Sequence, residues 1–187
     1  MFRKLIAFSL LTMFLVTTAS AASVRELQLD EIVATATVAF EGTCAGNRTE
    51  RDPVTNMVVT YTTFSVKDVL KGTVQATHVI KQIGGVMPDG EVGFRIAGIP
   101  SFAVGEDYVV FLAGVSAAGF SSPIGLSQGK FTVQQRANGK TVTNGRDTRE
   151  MTTRMPNAAV LATSVPTAHF DLEDFKQLTR DHVQNRR

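Results

Sequence analysis

Tyr108-Val109-Val110-Phe111-Leu112-Ala113 is the stretch whose reading decides the fold. Six apolar residues follow one another inside a segment bounded by Gly105 and Gly114. A strand with one wet face alternates apolar and polar side chains, and this run does not alternate. A short, uninterrupted run rich in β-branched and aromatic residues fits a strand covered on both faces. The segment therefore predicts a central strand of a β domain with material packed on each side of it.

Working outward toward the C-terminus, residues 130–136 and 140–143 flank Asn138-Gly139. Asn-Gly suits a type I′ hairpin, in which both central residues need positive φ. Toward the N-terminus, residues 57–70 (MVVTYTTFSVKDVL) and 77–83 (THVIKQI) predict two further strands, the second closed by Gly84-Gly85. Pro88-Asp89-Gly90 predicts a turn, because Pro fixes φ, Asp bonds nearby backbone and Gly accepts positive φ. Residues 91–97 read as a short strand and residues 98–105 as an irregular crossing. Residues 35–41 predict the first strand, with Ala36, Val38 and Phe40 on one face. Residues 42–56, rich in Gly, Thr, Asn and Asp, predict a loop.

Helices are expected only at the ends. Residues 24–34 carry Val24, Leu27, Ile32 and Val33 among charges and suit a short amphipathic helix. Asp171 has the character of an N-cap, with Asp174 three residues on for a reverse contact. Leu172, Phe175 and Leu178 then follow at helical spacing, predicting a helix over about residues 171–183. Residues 145–166 are polar and predict a surface segment. The expected fold class is mainly β: a small OB-type barrel with a short N-terminal helix and a C-terminal helix. Closure is the natural way to remove exposed sheet edges.

The first 21 residues read differently from the rest. Arg3 and Lys4 precede an uncharged run over residues 5–16, and Ala19-Ser20-Ala21 follows. That is the three-zone pattern of a cleavable secretory signal, with the cut expected between Ala21 and Ala22. The apolar run is shorter than the roughly 20 residues needed to cross a bilayer. Residues 22–187 are then expected to form a single domain, exported to the periplasm or the medium, with no membrane span after cleavage. The whole chain has 19 basic and 17 acidic residues. Loss of Arg3 and Lys4 leaves 17 of each sign, so no charge excess argues for a nucleic-acid partner. Cys44 is the only cysteine, which excludes an intrachain disulfide.

Several residues carry chemistry by letter. Gly125-Leu126-Ser127-Gln128-Gly129 matches G-x-S-x-G, but that motif works where a strand turns into a helix. Here Lys130-Phe131-Thr132-Val133 follows and predicts a strand, so Ser127 reads as part of a turn. Cys44 reads as a buried, inert thiol, the alternatives being intermolecular pairing and, if a group such as His78 stabilises its thiolate, reactivity. His78, His169 and His182 lack the short repeated spacing of zinc ligands. Asp89, Glu91, Glu106 and Asp107 lack the spacing of a calcium loop and read as solvated turn charge. Asn47-Arg48-Thr49 is a glycosylation sequon by letter. No catalytic residue, cofactor or metal is expected from these features.

A series of positions resembles a group of small exported bacterial proteins without an established activity. It comprises Phe64-x-Val66-x-x-Val69-Leu70-Lys71-Gly72, Gly84-Gly85, and Ile99-Pro100-x-Phe102-x-x-Gly105-Glu106-x-Tyr108-Val109-Val110-Phe111-Leu112. Gln128-Gly129-Lys130-Phe131-x-Val133 and Leu172-x-x-Phe175 complete it. The pair Val69-Leu70-Lys71-Gly72 and Gly105-Glu106-x-Tyr108-Val109-Val110-Phe111-Leu112 is also similar to the netrin-like modules of tissue metalloprotease inhibitors. That likeness implies an OB-type barrel. Those inhibitors depend on an N-terminal cysteine and on disulfides, whereas Cys44 is internal and alone. The functional expectation is an exported, non-enzymatic binding or interaction module whose partner is a protein or small ligand. A protease inhibitor or protease-associated protein is the first alternative, and a small hydrolase using Ser127 or Cys44 the second.

Overall fold

The computed structural model describes residues 25–90, 92–94, 96–155 and 169–185. The predicted leader and its Ala21–Ala22 junction lie outside them, as does the second half (156–166) of the predicted surface segment 145–166. The described elements are α1 (Leu29–Thr35), β1 (Val38–Arg51), β2 (Val58–Lys71), β3 (Thr77–Ile83), β4 (Asp107–Leu112), β5 (Lys130–Arg136), β6 (Gly139–Thr143), α2 (Thr148–Thr152), β7 (Phe170–Asp171) and α3 (Leu172–Gln184). The fold is mainly β. All seven strands form one antiparallel sheet in the order β3-β2-β1-β4-β5-β6-β7, with short helices near both ends of the chain.

β4 behaves as its composition predicts. Val109 and Phe111 enter a core cluster with α1, α2 and α3, alongside Phe131, Val142 and Phe175. Tyr108, Val110 and Leu112 point the other way, into a second cluster with Phe40, Cys44, Phe64, Ile80 and Phe102. An all-apolar strand is stable here because both of its faces are dry. β2, β3 and α3 also form where expected. The Asp171 carboxylate accepts from the Glu173 and Asp174 N–H groups (2.9 and 3.2 Å), which caps α3.

Four expectations require correction. β1 is not seven residues long but fourteen, because residues predicted as loop continue it to Arg51. β4 covers β1 from Val38 to Thr43, Cys44 bonds to Gly105 and Glu106 just before β4, and the remainder pairs with β2. Polar side chains are tolerated on such a ribbon, and they bond across it. Thr62 Oγ1 donates to Asn47 Oδ1 (2.7 Å), and the Thr49 and Thr60 hydroxyls pair at 3.1 Å. Three register shifts bend the strand at Ala39/Phe40, Glu41/Gly42 and Cys44/Gly46. The loop that remains is Asp52 to Met57, held by the Asp52 carboxylate accepting from Thr55 N–H and Oγ1 (2.8 and 2.7 Å).

Secondly, the described residues of 91–97 make no strand; one isolated bridge joins Val86 to Val92. Thirdly, the hairpin turns one residue early. Arg136 pairs with Gly139 around Ala137 and Asn138, and Asn138 does not have positive φ. The observed register sets Val133 opposite Val142 in the core. A turn centred on Asn138-Gly139 would set Asn144 opposite Val133, so packing overrides the turn preference. Fourthly, α1 begins at Leu29, not near residue 24, where the Gln28 N–H donates to Glu31 Oε2 (2.9 Å). Leu27 still packs against the core from extended backbone.

Candidate functional site

The residues that carry chemistry by letter are dispersed. Ser127 is exposed in a turn that runs straight into β5, with the Lys130 N–H donating to its carbonyl (3.1 Å). No helix follows it, so the strand-to-helix elbow that activates such a serine is absent. Cys44 is fully buried in the second core cluster. Its Sγ faces the Phe102 carbonyl at 3.9 Å and Asn47 Oδ1 at 4.0 Å, and burial pushes its thiol pKa up. That is the opposite of nucleophile activation. His78 lies on β3, two strands away, edge-on to Phe40 at 5.3 Å.

His169 Nε2 lies 2.6 Å from an Arg136 nitrogen, and His182 sits on α3. Among the described residues no three His, Cys, Asp or Glu side chains converge as a metal site. Asp107 is tied to Thr43 and Lys67 at 2.6 Å each, while Asp89 lies in the turn after β3 and Glu91 is outside the described residues. Asn47 of the sequon is exposed on β1, its amide donating to the Phe102 carbonyl at 2.7 Å and accepting from Thr62.

The features that sequence reasoning missed lie along the segment from Gly84 to Gly105. Its last part seals the second core. Phe102 inserts against Phe64 and Tyr108, edge-to-face at 5.0 and 5.1 Å. Three bonds hold it, two of them long-range. Lys130 Nζ donates to the Ser101 carbonyl (2.6 Å), Asn47 Nδ2 to the Phe102 carbonyl, and the Ala103 N–H to Tyr108 Oη (2.9 Å). Lys130 lies over the Phe102 and Tyr108 rings at 5.1 and 4.8 Å, and burial lowers its pKa. Such closures join residues up to 55 apart in sequence and leave no local pattern to read.

Ile99, Pro100 and Ser101 form a ridge with a cleft on either side. One, of about 470 Å³, is mixed in character, lined by Lys130, Thr132, Thr143 and Asn144 among others. The other, of about 330 Å³, is mostly apolar, lined by Ile83, Phe94, Ile96 and Ile99 together with Thr60 and Gln82. Beside the apolar cleft the chain presents Phe94 at 71%, Val92 at 59%, Val86 at 48% and Ile96 at 41% exposure.

That loop is fixed at its base. The Gly84 N–H donates to Val58 O and the Gly93 N–H to Gly85 O, both at 2.8 Å. A Cβ on Gly85 would fall 2.3 Å from Thr60 Oγ1, and one on Gly93 would fall 2.5 Å from the Val58 Cβ. Only glycine permits this approach, so the backbone is clamped while the apolar side chains between and beyond the clamps face solvent.

Two buried ionic clusters were also invisible in the sequence. Lys81 Nζ pairs with Asp52 at 2.7 Å, donates to the Ala118 carbonyl (2.9 Å) and lies over the Phe120 ring. The Lys81 hydrogen bond, with help from Thr55, holds the Asp52 pKa well below the usual carboxylate range. Lys176 of α3 meets Glu41, Asp68 and Glu173 at 2.9, 3.0 and 2.8 Å, and Arg180 grips Asp68 at 2.6 and 2.7 Å. Burial alone would lower the Lys176 pKa; its bonds to Glu173, Glu41 and Asp68 outweigh that and hold it above the usual lysine value. Both clusters have their partners inside the protein and serve to lock elements together. Among the described residues no helix is long and apolar enough to cross a membrane. Neither a protein family, nor a curated protein, nor a solved structure matches this chain.

Proposed function

We infer that this chain is an exported, non-enzymatic binding module, and that it docks a protein partner on the loop around Phe94. The observation that carries the reading is the cluster of Val86, Val92, Phe94 and Ile96, exposed on a loop whose backbone is clamped at its base. Contiguous exposed apolar surface costs solubility and is kept where something covers it. A rigid presentation lowers the ordering cost of binding. The dispersal of Ser127, Cys44 and the three histidines supports a non-enzymatic role.

For the fold, the reading is a partly open OB-type, netrin-like barrel built from β3-β2-β1-β4-β5 around Phe40, Phe64, Ile80 and Tyr108. The three bends in β1 and the Phe102 plug support it. The resemblance to small exported bacterial proteins fits the same picture. Protease inhibition led by a cysteine has no support, because Cys44 is buried in mid-strand.

The test is cross-linking of the exported chain, comparing wild type with Phe94→Ser/Ile96→Ser. A partner captured by wild type should be lost from the variant, as removing an aromatic anchor weakens binding by about thirtyfold or more. The melting temperature should stay close to wild type, since both side chains face solvent. The exported protein should begin at Ala22 by mass. Absence of any variant-sensitive partner overturns the docking reading, and a retained leader overturns export.

A further inference from the structure

Across the Ile99–Ser101 ridge from Phe94, the second cleft is floored by the β5–β6 hairpin. Phe131, Val133 and Val142 turn into the helix-covered core, so the alternate residues Lys130, Thr132 and Thr143 face the other way. Thr132 and Thr143 stand directly opposite each other in the ladder, with Cβ atoms about 5 Å apart. Lys130 lies two residues back along β5, about 7 Å from Thr132. All three line the cleft, and each is only half-buried.

Lys130 brings a positive charge to this floor. Its Nζ donates to the Ser101 carbonyl at 2.6 Å and lies over the Phe102 and Tyr108 rings. Those partners are uncharged, and the carbonyl takes only one of the three ammonium N–H groups. Burial works against the charge and lowers its pKa, a cost that a neighbouring anion offsets. Thr143 Oγ1 accepts from the Gly145 N–H at 2.9 Å, which leaves its own O–H as a donor. Asn144 Nδ2 donates to the Gln128 carbonyl at 3.0 Å and ties the end of β6 to the turn before β5, so the floor is formed in advance. Ile99 and Pro100 make the ridge side of the cleft apolar. A cation and hydroxyl donors facing an apolar ridge match a molecule with an anionic head and a short hydrocarbon body.

We propose that this cleft binds a small organic carboxylate, which accepts from Lys130 Nζ and the Thr132 and Thr143 hydroxyls while its hydrocarbon part lies along Ile99 and Pro100. The site is separated by the ridge from the Phe94 loop and needs no protein partner, so either reading can fail without the other.

Benzoate and benzamide are a suitable probe pair at neutral pH, since they have similar shape and differ in charge. Inorganic phosphate supplies negative charge without an apolar part. Each is titrated into the full chain and followed by the backbone amide resonances of Thr132, Thr143 and Gly145. Benzoate should shift them saturably and bind about tenfold or more tightly than benzamide, the value of one charge-assisted hydrogen bond. Phosphate should bind more weakly than benzoate, because it makes no use of Ile99 and Pro100. In Lys130→Met the preference for benzoate over benzamide should vanish, and Lys130→Arg should retain most of it. The wild-type comparison of the three probes stands without any variant, so a poorly folded Lys130→Met leaves the test intact. The proposal fails if benzoate does not shift these resonances saturably, if benzamide binds wild type equally well, or if phosphate matches benzoate. It also fails if a folded Lys130→Met keeps the preference.

Discussion

The two faces of β4 look into two cores that are closed in different ways. On one side Phe111, Phe131 and Phe175 form a compact aromatic group with centroid distances of 5.7, 6.0 and 4.7 Å, and Phe170 joins at 5.2 Å. Helices α1, α2 and α3 cover it. On the other side Phe40, Phe64, Phe102 and Tyr108 form a chain of edge-to-face contacts at 5.5, 5.0 and 5.1 Å. There the cover is an irregular segment carrying Phe102, held by three bonds from β1, β4 and β5. Helical cover brings many apolar contacts along each turn. Irregular cover brings one large side chain and a few polar ties. The two clefts beside Ile99 to Ser101 and the exposed apolar loop lie on the second side, where local opening is expected to cost less, although a further cleft of about 430 Å³ lies between α1 and α3 on the first.

The sharpest way to break this contrast is to cut the same aromatic mass from each side. Phe175 touches Phe111, Phe131 and Phe170 from a helix whose backbone is committed along its length. The surroundings have little room to collapse. Phe175→Ala should cost about 4 kcal/mol, within the range for large aromatic deletions in cores. Urea denaturation checks this, with an unchanged slope expected if α3 unfolds together with the sheet. A loss under about 1 kcal/mol would mean that the helical side is not the firmer one.

How much was legible follows the same divide. The doubly covered β4 could be read from Tyr108 to Leu112, because a lack of alternation has a direct structural meaning. The Asp171 cap and the Leu172, Phe175, Leu178 stripe could be read because helical contacts are local and periodic. The far half of β1 could not: Asn47 and Thr49 are letters of a loop, and only their bonds to Thr62 and Thr60 make them strand residues. Lys176 and Glu41 are 135 residues apart, so no window contains their pairing. Gln82 looks like an ordinary strand glutamine, and only the fold shows it to be 4% exposed. Ser127 could be dismissed early because the residues after it had to be a strand.

The ionic clip under α3 gives the next effect in size. Lys176 and Glu41 are 8% and 6% exposed as side chains, so Lys176→Met leaves a carboxylate buried with no cation against it. Breaking a buried pair from one side should cost about 3 kcal/mol, and adding Glu41→Leu should recover most of it. A double-mutant cycle by urea denaturation measures the coupling. Asp68 sets the pH dependence. Burial raises its pKa, but bonds from Arg180 and Lys176 prevail and leave it lowered. Its contribution is therefore complete above the unfolded aspartate value of about 4, and is lost as pH falls through the lower folded value. Acid should loosen α3 in wild type, and the acid slope should shrink in Asp68→Asn.

Phe102→Ala makes the smaller change in stability and the more telling one. The side chain is only 3% exposed, yet it sits on an irregular segment that can settle into the space it leaves more readily than a helix can. Its loss should cost about 2 kcal/mol, the low end for such deletions. Cys44 reports what opens. Its thiol lies beneath the Phe102 carbonyl with its pKa raised by burial, so the native protein should resist a water-soluble disulfide reagent. In Phe175→Ala the thiol should react only as fast as global unfolding allows. In Phe102→Ala it should react faster than that variant's stability predicts, because lifting the 98–105 segment uncovers Cys44 while the sheet and α3 stay folded. Labelling rates of the two variants, compared at urea concentrations that match their stabilities, separate the cases. Equal rates would mean that both cores open together and that the irregular side is no weaker than the helical one.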